Sequence, residues 1–141
     1  MSSRVINEII VHCTATRPEM VLTIPLLKNW HEARGFNGIG YHYVIDQQGN
    51  IYNTRDEKVK GAHCKGKNEA SIGIAYIGGI DGSKAVACDT RTFAQRRALV
   101  SLIVDICSRY DITSIAGHNK YANKDCPCFD AAQEYQDFLK K

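Results

Sequence analysis

Two histidines and a cysteine in this chain are spaced so that they could together hold a catalytic metal ion. His12 ends an apolar run, and His118 and Cys126 lie in one polar segment near the carboxyl end. Two imidazoles and one thiolate are a common ligand set for catalytic zinc, because three protein ligands leave a fourth position open for water. The residue types therefore predict a hydrolase with one bound zinc ion.

The elements predicted around these residues would bring them together. Two helix starts are predicted by capping residues: Asp130 with Gln133, and a capping box of Thr92 with Gln95 ahead of the most regular apolar stripe. We expect one α/β domain over residues 1–141, a central mixed β-sheet flanked by helices. Strand ends would then carry His12 and His118, and the following loop would carry Cys126. Periodicity predicts strands at residues 5–12, 41–46, 51–54, 71–77 and 112–116, and helices at about 23–34, 92–110 and after 130.

Composition narrows the class of protein. Of 141 residues, 44% are hydrophobic and 23% charged, which is ordinary for a globular domain. The net charge of +3 is too small to predict nucleic-acid binding, although it favours weak attraction to an anionic polymer such as a bacterial wall. No apolar run is long enough to span a membrane, and the first residues lack a signal-peptide pattern. We therefore expect a protein that is cytoplasmic at synthesis and reaches the wall only after release or translocation. The sequence has no dimer signature, so we expect a monomer.

Six short motifs, spread in order over nearly the whole chain, resemble one family. The chain resembles the zinc-dependent N-acetylmuramoyl-L-alanine amidases of the short phage-lysozyme type, which are related to the peptidoglycan recognition proteins. The motifs are His12-Cys13-Thr14-Ala15-Thr16, Trp30-His31, Gly40-Tyr41-His42-Tyr43, Ser71-Ile72-Gly73, Gly78-Gly79-Ile80-Asp81 and Lys124-Asp125-Cys126-Pro127-Cys128-Phe129-Asp130.

The resemblance carries expectations about fold, activity and site. It implies a mixed sheet with flanking helices and zinc bound by His12, His118 and Cys126. It also implies hydrolysis of the amide bond between N-acetylmuramic acid and L-alanine in peptidoglycan. It also implies catalytic help from Tyr41 and Lys124, as donors to the oxyanion or to the leaving amine. His63 lies in a glycine-rich loop that we expect to be exposed, where it is either a substrate contact or a solvated histidine.

Two alternatives from other classes stay open on the sequence alone. One is a peptidoglycan-binding module without catalysis, although such modules typically lack the ligand that Cys126 would supply. The other is an additional role as a phage RNA polymerase inhibitor, which the short segment of eleven residues before His12 makes doubtful. The source could be a phage, a prophage or a bacterium.

Overall fold

A computed structural model gives the structure of this protein and describes residues 4–139. The described residues form five strands, three α-helices and short 3-10 turns, and they confirm the predicted α/β class. The strands are β1 (Glu8–Cys13), β2 (Tyr43–Ile45), β3 (Ile51–Asn53), β4 (Ser71–Tyr76) and β5 (Ser114–Gly117); the helices are α1 (Ile24–Ala33), α2 (Phe93–Arg109) and α3 (Ala131–Tyr135).

The sheet is mixed and has the order β3-β2-β4-β1-β5. β1 pairs in parallel with both β4 and β5, and β2 pairs in parallel with β4, whereas the hairpin partner β3 is antiparallel. The carboxyl ends of four strands therefore meet at one edge of the sheet. Ligands of open parallel sheets are bound outside this edge.

Alternation along the strands divides the two faces of the sheet, because successive side chains point to opposite sides. On β1, Ile9 and Val11 are fully buried in the larger core against α2 and α3. His12 therefore points to the other face, where α1 and the loops lie. A smaller apolar cluster holds α1 there and comprises Leu22, Leu27, Ile39, Val44 and Ile77.

The predicted helix starts are confirmed. Thr92 accepts from the Gln95 backbone N–H at 3.1 Å, and the Gln95 side chain accepts from the Thr92 N–H at 2.9 Å, which is the predicted capping box. Asp130 likewise accepts from the Gln133 N–H at 3.1 Å. No helix in the described part of the chain is long and apolar enough to cross a membrane.

Several strand boundaries differ from the prediction by one to three residues. β1 was predicted from residue 5 but begins at Glu8, and β5 was predicted from residue 112 but begins at Ser114. The first ladder pairs join Glu8 to Ser71 and Ser114, so the apolar residues before them have no strand to pair with. Tyr41 likewise precedes β2, which begins at Tyr43.

Candidate metal centre and catalytic pocket

The three predicted ligands converge at the carboxyl edge of the sheet. His12 is the penultimate residue of β1, His118 follows the last residue of the neighbouring β5, and Cys126 lies in the loop beyond. One ligand atom from each residue lies within 4.8 Å of the others, and the two imidazole centroids are 4.7 Å apart. The spacing and the donor types suit a metal ion held by two nitrogens and one sulfur.

The protonation states of these residues also suit metal binding. Burial, with the nearby His63, holds the pKa of His12 well below its ordinary value. Burial and the charge of Lys124 lower the pKa of His118. The pKa of Cys126 is lowered because the Cys13 thiol donates to its sulfur, and the Cys13 backbone N–H also donates to it at 3.1 Å. Neutral imidazoles and a readily ionised thiol are what a metal ligand set requires.

Two buried side chains, Tyr76 and Arg91, contact the loop that carries Cys126. The Tyr76 hydroxyl, at the end of β4, donates to the Pro127 carbonyl at 2.7 Å. The Arg91 guanidinium stacks on the Phe129 ring with its central carbon 3.4 Å from the ring centroid. These contacts fix the residues immediately after Cys126, so the sulfur position depends on groups outside the metal centre.

His63 is buried rather than exposed, so the expectation of exposure is wrong at this residue, although Lys65 and Gly66 of the same loop are exposed. Its ring is 7% exposed and lies within hydrogen-bond distance of His12, with Nδ1 2.8 Å from the His12 Nε2 atom. The backbone N–H groups of His63 and Cys64 both donate to the Asn68 side-chain oxygen at 3.0 Å, which folds the loop inward. His63 still lines the pocket described next.

A pocket of about 510 Å³ opens over the three ligands. Tyr41 lines it, with a ring centroid 5.1 Å from that of His12, and burial raises the pKa of its phenol. A phenol that stays protonated is a hydrogen-bond donor at neutral pH. Lys124, an exposed residue two positions before Cys126, also lines the pocket and supplies a cation. The site residues predicted from the sequence thus line one pocket.

Two other histidines support the pocket. His31 is buried: it accepts from the Gly40 N–H at 2.9 Å, and its ring centroid lies 5.2 Å from that of Tyr41. His42 is fully buried and accepts from the Gly73 N–H at 3.1 Å. Sequence reasoning missed the support from His31, which lies in α1, nine residues before the Gly40 N–H that it accepts from.

Comparison with known proteins agrees with this geometry. The structure has a TM-score of 0.81 to the N-acetylmuramoyl-L-alanine amidase LysC from Clostridium intestinale, with 28% identity, 96% of this chain and 87% of that chain covered. The fold is therefore the one that amidases and peptidoglycan recognition proteins share.

Sequence relatives narrow this to a family. The family described as N-acetylmuramoyl-L-alanine amidase matches residues 2–129. The endolysin of Escherichia phage T7 is 38% identical over 124 residues, which are 88% of this chain and 82% of that protein. Peptidoglycan-recognition protein SC2 of Drosophila melanogaster is 31% identical, over 84% of this chain and 66% of that protein. The chain belongs to the N-acetylmuramoyl-L-alanine amidase family, and the predicted fold, family and amidase activity are confirmed.

Proposed function

We propose that this domain lyses cell walls by cutting peptidoglycan between N-acetylmuramic acid and L-alanine, with zinc held by His12, His118 and Cys126. The observation that carries the proposal is the approach of their three ligand atoms to within 4.8 Å of one another, in a pocket that Tyr41 and Lys124 also line. We further propose that residues 1–141 act as one catalytic domain.

The donor set supports zinc in particular. Two neutral nitrogens and one sulfur are typical of zinc sites, whereas magnesium and calcium prefer oxygen ligands. Zinc bound by three protein ligands supplies a coordinated water of lowered pKa and polarises the scissile carbonyl. Cys126 contributes its thiolate to this set, and the thiol and N–H that Cys13 donates to the sulfur stabilise that charge.

Tyr41 and Lys124 act on the reacting amide. Amide hydrolysis passes through a tetrahedral oxyanion and requires a proton for the departing amine. The Tyr41 phenol, protonated because burial raises its pKa, can donate a hydrogen bond to the oxyanion. The Lys124 ammonium can serve as the second donor or as the source of the amine's proton. When Lys124 protonates the amine, each of the two tasks has one donor.

The charge of the pocket suits the substrate. Its lining contains the cations Arg34, Lys65 and Lys124, and none of the described residues that line it is acidic. Peptidoglycan stem peptides carry free carboxylates, which a cationic cleft attracts and orients. Direct substrate contact by His63, binding of an RNA polymerase and a monomeric state stay predictions.

Product chemistry tests the proposal. Purified peptidoglycan is incubated with the metal-loaded protein, and new amino termini are labelled and identified after acid hydrolysis. The expected product is labelled L-alanine together with intact glycan strands. New reducing sugar ends or labelled residues other than L-alanine would show that another bond is cut. Binding to peptidoglycan without release of any amine would favour the non-catalytic module.

A further inference from the structure

The contact between His12 and His63 fixes where one proton lies. Their nitrogens, His12 Nε2 and His63 Nδ1, are 2.8 Å apart, and both rings are buried. Two ring nitrogens at this distance attract each other only when one of them carries a hydrogen and the other a lone pair. The two possible arrangements give His12 opposite tautomers, and only one of them leaves the other nitrogen of His12 free to bind a metal.

The next residue in the chain of contacts decides between the arrangements. The Ser71 hydroxyl lies 2.7 Å from the Lys67 carbonyl oxygen, which can only accept, so the hydroxyl hydrogen points to that carbonyl. The Ser71 oxygen must then accept from His63 Nε2, which lies 3.3 Å away. A neutral His63 with its hydrogen on Nε2 has a lone pair on Nδ1. Consequently His12 donates from Nε2, and its Nδ1 lone pair is free.

Packing holds the His63 ring in the orientation that this chain of bonds requires. A Cβ atom at Gly73, on β4, would lie 2.6 Å from the ring, and one at Gly61 would lie 2.4 Å from it. Glycine at both positions lets the backbone approach the ring from two directions, so the ring has little room to turn. The backbone N–H of His63 is held by the Asn68 side chain at 3.0 Å.

We propose that His63 is a positioning residue that holds His12 in the tautomer whose Nδ1 atom binds the metal, with Ser71 and the Lys67 carbonyl setting the direction of the hydrogen bonds. The proposal rests on the metal centre proposed above. Partners behind a metal-bound histidine typically change metal affinity by ~10- to 100-fold. A carboxylate or carbonyl is the usual hydrogen-bond acceptor behind a metal-bound histidine. Here the acceptor is a second histidine, His63, which donates in turn to Ser71, and Ser71 donates to the Lys67 carbonyl.

Zinc affinity tests the proposal, measured by competition with a chromophoric chelator. His63→Ala removes the acceptor and should weaken zinc binding ~10- to 100-fold. His63→Asn keeps a side-chain oxygen near the position of Nδ1 and should recover most of that loss. Cys64→Ala, in the same loop, is the matched control and should bind zinc like the wild type. Equal zinc affinity for His63→Ala and wild type would overturn the proposal.

A readout on the metal-free protein separates this inference from the proposed function. Nitrogen chemical shifts of the imidazoles report which ring nitrogen carries the hydrogen, and they should show His12 protonated on Nε2. Ser71→Ala, which keeps both rings, should give a mixture of His12 tautomers. A single Nδ1-protonated His12 in the wild type would overturn the inference. A wild type that shows the expected tautomer but binds no zinc would contradict the proposed function while leaving the hydrogen-bond assignment intact.

Discussion

Replacing Arg91 with alanine should destabilise the fold strongly, because its buried guanidinium joins three parts of the chain. Arg91 donates to Glu134 at 2.7 and 2.9 Å, to Asp89 at 2.9 Å through two nitrogens, and to the Tyr135 hydroxyl at 3.0 Å. It also stacks on Phe129. Its side chain is 1% exposed. The charge is therefore fully paired, and it ties α3 to the segment before α2 and to the loop that follows the proposed metal ligand Cys126.

The expected size follows from the burial of the Arg91 side chain, since its partners Asp89 and Glu134 are 22% and 36% exposed. Removing one member of a buried, hydrogen-bonded ion pair typically costs about 3–5 kcal/mol, because the remaining charges lose their partner. For a domain of this size the loss corresponds to a fall in Tm of roughly 10–20 °C. Arg96→Ala is the matched control: Arg96 also pairs with Asp89, at 3.2 Å, but its side chain is 48% exposed. An exposed pair of this kind contributes about 0–1 kcal/mol.

Urea unfolding of the metal-free proteins, followed by circular dichroism, gives the two free energies. We expect Arg91→Ala to lose several times more stability than Arg96→Ala. We also expect Arg91→Lys to recover only part of the loss, since an ammonium can neither bind two carboxylates in forked geometry nor stack on Phe129 as a plane. Equal losses for Arg91→Ala and Arg96→Ala would show that the ion pair alone, and not burial, sets the effect.

Three further predictions concern the pocket. Tyr41→Phe removes a donor but no metal ligand, so the rate should fall roughly 100-fold with zinc content unchanged, and an unchanged rate would exclude the proposed role. Burial lowers the pKa of His63 to about 3 and that of His42 to about 4. Because the unfolded chain binds these protons near pH 6.5, the metal-free fold should lose stability as pH falls from about 6.5 toward 4, by up to ~1.4 kcal/mol per pH unit for each histidine. A flat urea midpoint over that range would count against it. Gly73→Ala places a Cβ 2.6 Å from the His63 ring and should cost about 1–3 kcal/mol in urea unfolding, whereas an unchanged midpoint would show that the ring can move aside.

Features set by local periodicity were predictable from the sequence. The alternation of apolar strands and amphipathic helices gave the α/β class, and the capping residues placed the starts of α2 and α3. The positions of His12 and His118 beside apolar runs were enough to predict a shared sheet edge. Strand ends were less predictable, because a ladder ends where its neighbour ends and not where the apolar run does.

Features set by contacts between distant segments were not predictable. Residues 61–70 have no periodicity that would indicate which side chains are buried. The burial of His63 depends on its packing against Gly73 of β4, which the sequence of the loop does not show. An arginine at position 91 would ordinarily be expected at the surface. Its side chain is instead contacted by three residues that follow it by 38 positions or more: Phe129, Glu134 and Tyr135. The contact between Cys13 and Cys126 likewise forms only when the last loop closes onto β1.

We propose that amidase activity requires a zinc ion on His12, His118 and Cys126. The most direct test measures zinc per protein molecule together with the release of L-alanine amino termini from peptidoglycan, for the wild type and Cys126→Ser. We expect one zinc per wild-type molecule with active release, and a strong reduction of both in Cys126→Ser without loss of the folded circular dichroism spectrum. Wild-type activity that persists without bound zinc, or a Cys126→Ser protein that keeps both zinc and activity, would show that zinc at this site is not required.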